Sequence, residues 1–152
     1  EAEVAGASVR FAGFELPLAA DSPVAGVDRR LILGIRPTSF EHGATADGGL
    51  PRIRVEPTVV EELGSETNVI FPIDAPPVAD EAVRAAAEAG ADSESRLLAD
   101  DERATMTARV GAKRDVPTGE PVELALDNTE LHFFEPESGL ALDTGARARQ
   151  VA

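Results

Sequence analysis

Apolar and polar side chains alternate with a period of two along most of this chain, which is the pattern of half-buried β-strands. Near the start, Ser8–Phe11 and Phe14–Leu18 flank the short turn Ala12-Gly13, so this segment predicts a hairpin. Leu31–Ile35 is apolar on both faces and predicts a buried strand. That strand ends at Arg36-Pro37, because proline cannot donate to a β-ladder.

A longer strand is predicted after the loop at 43–49, which is rich in Gly and Asp. The residues of one parity, which should face the core, are Ile53, Val55, Val59 and Leu63. Pro57 interrupts this strand and indicates an edge or a bulge. Gly64-Ser65 then turns the chain into a strand over 67–73, with Thr67, Val69, Phe71 and Ile73 on one face.

Three further alternating segments lie at 105–110, 122–126 and 131–134. The turn sequences at 117–120 and Asp127-Asn128 separate them. Many short strands with turns between them favour a mainly β fold of small Greek-key barrels over a βαβ sheet.

Residues 74–104 differ in composition and predict an exposed insertion. Asp80 can cap a short Ala-rich helix through Ala89, and Gly90 is placed to end it. Residues 80–103 contain eight acids and three arginines. The insertion should therefore contribute much of the negative charge of the chain.

Composition excludes several classes of function. The chain has 152 residues and a formal charge of −14, which argues against nucleic acid as a partner, because phosphates are bound by Lys and Arg. It has no Cys, so disulfides, Cys-ligated metals and thiol catalysis are excluded. No apolar run approaches the ~20 residues that span a bilayer.

No catalytic constellation is evident in the sequence. The phosphate-binding motifs GxxxxGK[ST] and GxGxxG and the nucleophile motif GxSxG are all missing. His42 and His132 lie in unrelated contexts, so a shared metal site would require the fold to bring them together with a carboxylate. Neighbours on a strand point to opposite faces, so Glu61 and Glu62 cannot flank one substrate bond. The sequence thus predicts neither an enzyme nor a metal or cofactor site.

Four segments resemble, in order, motifs of a known family. Leu33–Phe40 is similar to its "GIRPE" segment, and Val59–Val69 is similar to its "V-E-x-LGSET" hairpin. Met106–Val110 followed by Gly119–Leu124 matches a third region, and Leu131–Gly139 is similar to its "LHLFDPETG" ending. The chain thus resembles the carboxy-terminal regulatory domain, of the TOBE or OB type, of the ATP-binding subunit of a maltose- or trehalose-type ABC importer.

The resemblance implies a domain organisation. Residues 1–145 would form two intertwined OB-like barrels with the insertion at 74–104, and residues 146–152 would be a frayed tail. The insertion is longer than the usual loop and resembles those of actinobacterial importers. The nucleotide-binding domain would lie upstream of residue 1, which agrees with Met106 being the single methionine.

The resemblance also implies a function without chemistry. ATP and Mg²⁺ would bind in the absent domain, and this chain would hold no cofactor. Two copies would form a homodimer that tethers the ATPase subunits, contacts the nucleotide-binding domain and offers a surface to a regulatory protein. The subunit would work at the cytoplasmic face of the membrane, which it would contact only through other transporter subunits.

The matched motifs give the candidate structural or interface residues. They are Gly34, Arg36, Pro37, Gly64, Ser65, Glu66, Thr67, His132 and Phe133. Arg36 either docks on a carboxylate of a neighbouring domain or marks the end of a strand. Thr38-Ser39 replaces the Glu and the second polar residue usual in the family, which leaves any contact of that Glu in doubt.

Two other functions stay open at this stage. One is a stand-alone OB module that binds an oxyanion or another small ligand, although a charge of −14 disfavours anion capture. The other is an enzyme with paired carboxylates, which would require two acids to converge in a pocket.

Overall fold

The computed structural model describes residues 1–78, 103–112 and 115–142. These residues form antiparallel strands and two short 3₁₀ helices, so the predicted mainly β class is confirmed. The strands are β1 (Ala2–Ala5), β2 (Ser8–Phe11), β3 (Phe14–Pro17), β4 (Arg29–Gly34), β5 (Phe40–His42), β6 (Arg52–Val55), β7 (Val59–Glu62), β8 (Glu66–Pro72), β9 (Thr105–Gly111), β10 (Val122–Leu126) and β11 (His132–Phe134). The 3₁₀ helices are η1 (Pro37–Ser39) and η2 (Asn128–Glu130).

The strands form three antiparallel sheets, an arrangement consistent with an OB-like fold. A five-stranded sheet has the order β11-β4-β1-β2-β3. Two three-stranded sheets have the orders β5-β10-β6 and β7-β8-β9. Because β11 pairs with β4, and β10 lies between β5 and β6, distant parts of the chain meet in the first two sheets.

The first hairpin joins β2 and β3 as predicted. Ala12 and Gly13 both have positive φ, +48° and +82°, which is the conformation of a type I′ turn. Strand β1 was not predicted, although Ala2 and Val4 alternate with exposed Glu3. It inserts between β2 and β4 and thereby connects the hairpin to the rest of the sheet.

The core receives side chains from all three sheets. Phe40 of β5 and Phe71 of β8 are buried, with ring centroids 6.2 Å apart in an edge-to-face arrangement. The alternation predicted around them is confirmed for β8, β9 and β10. Their buried residues on the predicted face are Thr67, Val69, Phe71, Ala108, Val110, Val122, Leu124 and Leu126, and Ala125 of β10 is buried as well on the opposite face.

The interruption predicted at Pro57 is confirmed, whereas the parity predicted over 53–63 is wrong after that residue. The predicted strand breaks at buried Pro57 into β6 and β7, which belong to different sheets. The backbone N–H of Thr58 donates to the carbonyl of Ile70 (2.9 Å), and Val59 also registers with Ile70, so two residues oppose one in a β-bulge. The extra residue moves every later side chain of β7 to the opposite face from the one predicted. Leu63, predicted to face the core, is therefore 56% exposed.

The ends of the predicted insertion lie close together. The N–H of Ile73 donates to the carbonyl of Ala104 (2.9 Å), and the N–H of Ala104 donates to that of Ala75 (2.7 Å). The predicted helix at 80–89 and the predicted tail at 146–152 lie outside the described residues. Within 1–78, 103–112 and 115–142, there is no helix of sufficient length and hydropathy to span a membrane.

We expect Gly64→Val to lower the free energy of unfolding by ~1 kcal/mol or more. Gly64 has φ +89°, while a Cβ there would meet no atom within 4 Å, so the cost is conformational and not steric. Gly48→Val is the matched control, because Gly48 also has open space but no positive φ. Urea unfolding of both variants checks this, and equal stability of Gly64→Val and wild type would contradict it.

Candidate functional site

Strands β4 and β11 bring two of the motif segments together. Gly34 lies directly opposite His132, and Phe133 lies opposite Leu33. A Cβ on Gly34 would lie 2.9 Å from Cε2 of the Phe134 ring and 3.4 Å from Cβ of His132. Glycine is therefore required by the close approach of β11 and not by an unusual φ.

Arg36 and Pro37 follow directly after β4. Arg36 occupies the N-cap position of η1 without a capping hydrogen bond from its side chain. Its carbonyl accepts a hydrogen bond from the Ser39 N–H (3.0 Å), and Pro37 stands at the first helical position. Both side chains are exposed, and within the described residues the Arg36 guanidinium makes no ion pair. Within this chain the segment ends a strand, and the docking of Arg36 on another domain stays a prediction.

A hydrogen bond that the sequence did not predict connects η1 to η2. Ser39 is 2% exposed, and its hydroxyl donates to Oε2 of Glu130 (3.0 Å). Asp127 caps η2 by accepting from the N–H of Thr129 (2.9 Å), and the amide of Asn128 donates to the carbonyl of Pro17 (2.8 Å). The sequence Asp-Asn-Thr at the start of η2 is a recognisable capping signal. Ser39 and Glu130 are 91 residues apart, and nothing in the sequence indicates that they pair.

A second unpredicted contact fixes the last motif segment. The guanidinium of Arg29 on β4 donates to Oε2 of Glu135, which follows β11, and both side chains are about one-third exposed. The N–H of Glu135 donates to the carbonyl of Leu140 (2.8 Å), and that of Gly139 to the carbonyl of Glu135 (2.9 Å). The turn after β11 is thus hydrogen-bonded internally and paired with β4.

The "LGSET" residues form the β7–β8 hairpin. Gly64, Ser65 and Glu66 are exposed, whereas Thr67 is buried. The N–H of Leu63 donates to the carbonyl of Glu66 (2.8 Å), so Gly64-Ser65 is a two-residue loop with positive φ at its first position, as in a type II′ turn. This hairpin and the β4–β11 pair belong to different sheets, and the candidate residues do not form one site.

The histidines and acid pairs do not form a reactive centre in the described residues. Nδ1 of His42 accepts a hydrogen bond from the Ala44 N–H (3.1 Å), and His132 lies in another sheet. Among residues 1–78, 103–112 and 115–142, no group of three or more His, Asp or Glu side chains could hold a metal ion. Glu61 registers with Asn68 and Glu62 with buried Thr67, so the two carboxylates lie on opposite faces of the sheet, as predicted.

A concave surface of about 360 Å³ lies at the β1–β2–β3 end of the first sheet. Its charged lining residues are Glu1, Glu3, Arg10 and Arg30, next to the rings of Phe11 and Phe14. Nε of Arg10 lies 3.2 Å from Oε2 of exposed Glu15, and this hydrogen bond lowers the pKa of Glu15 below 4.5. With two acids beside two arginines, the groove has no excess positive charge and does not favour the oxyanion-binding alternative.

We expect Gly34→Ala to lower the free energy of unfolding by about 1–3 kcal/mol, the usual cost of overpacking. The added methyl must displace the Phe134 ring, which lies 2.9 Å from the position of the new Cβ. In a Phe134→Ala background the ring is gone, so the cost of Gly34→Ala should shrink. Urea unfolding of the four proteins in this double-mutant cycle measures the coupling, and equal costs in both backgrounds would refute the steric account.

Comparison with known proteins gives a relationship for most of the chain. No protein-family model matches it. It is 32% identical over 123 residues to the trehalose import ATP-binding protein SugC of Mycobacterium tuberculosis, in strain CDC 1551 / Oshkosh and equally in strain ATCC 25618 / H37Rv. The match covers 78% of this chain and 30% of each relative.

Both the motif segments and this match relate the chain to the ATP-binding proteins of sugar importers. The four motif segments lie on β4 and η1, on the β7–β8 hairpin, on β9 and β10, and on β11 with the turn after it. The described residues thus provide a scaffold for these motifs without a metal-binding cluster. Over 78% of its length, the chain is related in sequence to the ATP-binding subunits of ABC sugar importers, of which it spans less than one-third.

Proposed function

We propose that this chain is the regulatory and dimerisation domain of the ATP-binding subunit of a sugar-import ABC transporter. The observation that supports it most directly is the 32% identity to SugC across 123 residues, which make up only 30% of that protein. An ATP-binding protein needs a phosphate-binding loop, and this chain has no such motif. ATP binding and hydrolysis are therefore assigned to a different part of the parent subunit.

The proposed role is mechanical. Two copies associate and keep two ATPase subunits together while the nucleotide-binding domains open and close. A regulatory protein that binds one arrangement more tightly shifts the population toward it, and the shift is limited by the difference between the two affinities. A β scaffold with a buried core shared by three sheets suits this role, because interior packing resists gradual deformation.

The cellular setting follows from the transporter context. In this proposal the subunit lies at the cytoplasmic face of the membrane and contacts it only through other transporter subunits. The name of the relative specifies trehalose import, whereas for this chain we propose only sugar import. Substrate choice is assigned to those other subunits.

We expect the isolated chain neither to bind nor to hydrolyse ATP. Titration calorimetry with Mg·ATP should show no heat beyond dilution, and phosphate release should equal the buffer blank. An ATPase domain that contains a phosphate-binding loop, titrated in parallel, verifies the assay. Stoichiometric binding or turnover that persists after repeated purification would refute the assignment.

We also expect the chain to self-associate weakly and reversibly. Each copy has a formal charge of −14, so two copies repel, and screening should strengthen their association as salt rises from ~0.05 to ~0.5 M. Sedimentation equilibrium at several concentrations measures this. A monomer at ~100 μM and at all salt concentrations would contradict the dimerisation role.

A further inference from the structure

Strand β7 is an edge strand whose outer side no strand covers among the described residues. It follows the bulge at Thr58-Val59 and ends at the type II′ turn of the β7–β8 hairpin. An uncovered edge offers a row of unpaired N–H and C=O groups to another strand. Natural β-proteins usually block such edges, so the side chains at this one determine what it can accept.

The register identifies which backbone groups are free. The N–H of Leu63 donates to the carbonyl of Glu66, which makes Leu63 and Glu66 a hydrogen-bonded pair. Hydrogen-bonded pairs alternate along an antiparallel ladder, so Glu61–Asn68 and Val59–Ile70 are hydrogen-bonded pairs as well. Val60 and Glu62 lie at the alternate positions. Their N–H and C=O groups therefore point away from β8 and toward the uncovered side.

The side chains of β7 combine apolar surface with unneutralised charge. Val59 and Val60 are half-buried, and Leu63 is 56% exposed. Glu62 is exposed and has no side-chain partner in the described part of the chain, while Glu61 accepts only from the amide of Asn68 (3.3 Å). From residue 55 to residue 66 there are four acids and no base, and among the described residues only Glu66 of these acids has an ion pair, with Nε of Arg109 on β9 at 3.9 Å.

We propose that the outer edge of β7 is a docking site for an extended segment of another protein with the pattern apolar–basic–basic–apolar. Such a segment would add a fourth strand, with backbone hydrogen bonds to Val60 and Glu62. Its two basic residues would lie across from Glu61 and Glu62, and its apolar residues across from Val60 and Leu63, where cross-strand pairs interact most strongly. Charge complementarity favours this partner over a second copy, whose β7 is equally acidic.

The test uses the full chain and a defined probe, the fluorescein-labelled, C-terminally amidated peptide Thr-Val-Arg-Arg-Val-Thr. Fluorescence anisotropy should show saturable binding. A peptide with Glu-Glu in place of Arg-Arg, and an Arg-Arg peptide N-methylated at alternate residues, should each bind at least about tenfold more weakly. The N-methylated peptide keeps the charge and blocks strand addition, so it separates docking from general attraction to an acidic protein.

Two variants locate the site on β7. Val60→Pro removes an N–H that β8 does not use, so it should preserve the fold and weaken Arg-Arg binding at least about tenfold. Glu62→Lys should weaken the Arg-Arg peptide about five- to tenfold and strengthen the Glu-Glu peptide. Glu137→Lys is the control, because Glu137 is exposed on the turn after β11 and gives the same change in net charge. If Val60→Pro unfolds, the comparison of Glu62→Lys with Glu137→Lys still tests whether the peptide binds at β7.

Three results would overturn this inference. The first is equal affinity for the N-methylated and unmodified peptides. The second is equal effects of Glu62→Lys and Glu137→Lys on Arg-Arg binding. The third is a loss of self-association in Val60→Pro with no peptide binding to wild type, which would assign the edge to a second copy. None of these results depends on whether the chain belongs to a transporter subunit.

Discussion

The contact between Phe40 and Phe71 packs the two three-stranded sheets of this protein against each other. Each of these sheets has three strands and one apolar face, which must be buried against another element. The rings meet edge to face at 6.2 Å, and both are almost fully buried. The sheets β5-β10-β6 and β7-β8-β9 thereby share one core. The outer edge of β7 and the hairpin turns lie outside that core and are available for other roles.

The motif segments lie where packing or backbone conformation permits few residue types. Gly34 permits the Phe134 ring to lie 2.9 Å from where a Cβ would be, and Gly64 supplies the positive φ of the type II′ turn. Pro37 begins η1, whose Ser39 is hydrogen-bonded to Glu130 of η2. Each of these residues thus has a role in the fold. Arg36, by contrast, has an exposed side chain that makes no ion pair within the described residues, so it is the better candidate for a contact with another domain, whereas exposed Glu66 lies 3.9 Å from Nε of Arg109.

The sequence pattern predicted strands well where one face is buried, and failed where tertiary structure changed the register. Alternation located β8, β9 and β10 because each has a continuous buried face. The same logic failed at 53–63, because one extra residue at the Thr58-Val59 bulge turns Leu63 outward. The pairs Ser39–Glu130 and Arg29–Glu135 join residues 91 and 106 positions apart, a separation at which a single sequence gives no pairing signal. The uncovered edge of β7 follows from the sheet order β7-β8-β9, which a single sequence does not specify.

The charge of the chain acts in opposite directions on its two kinds of proposed partner. A formal charge of −14 opposes the approach of a second copy, whereas it attracts a basic segment, and salt screens both effects. Added salt should therefore favour pairing between copies and weaken docking on β7. If both contacts exist, ionic strength changes the balance between them without any change in conformation. Self-association and capture of a basic partner through β7 can thus occur in one molecule, provided that they use different surfaces.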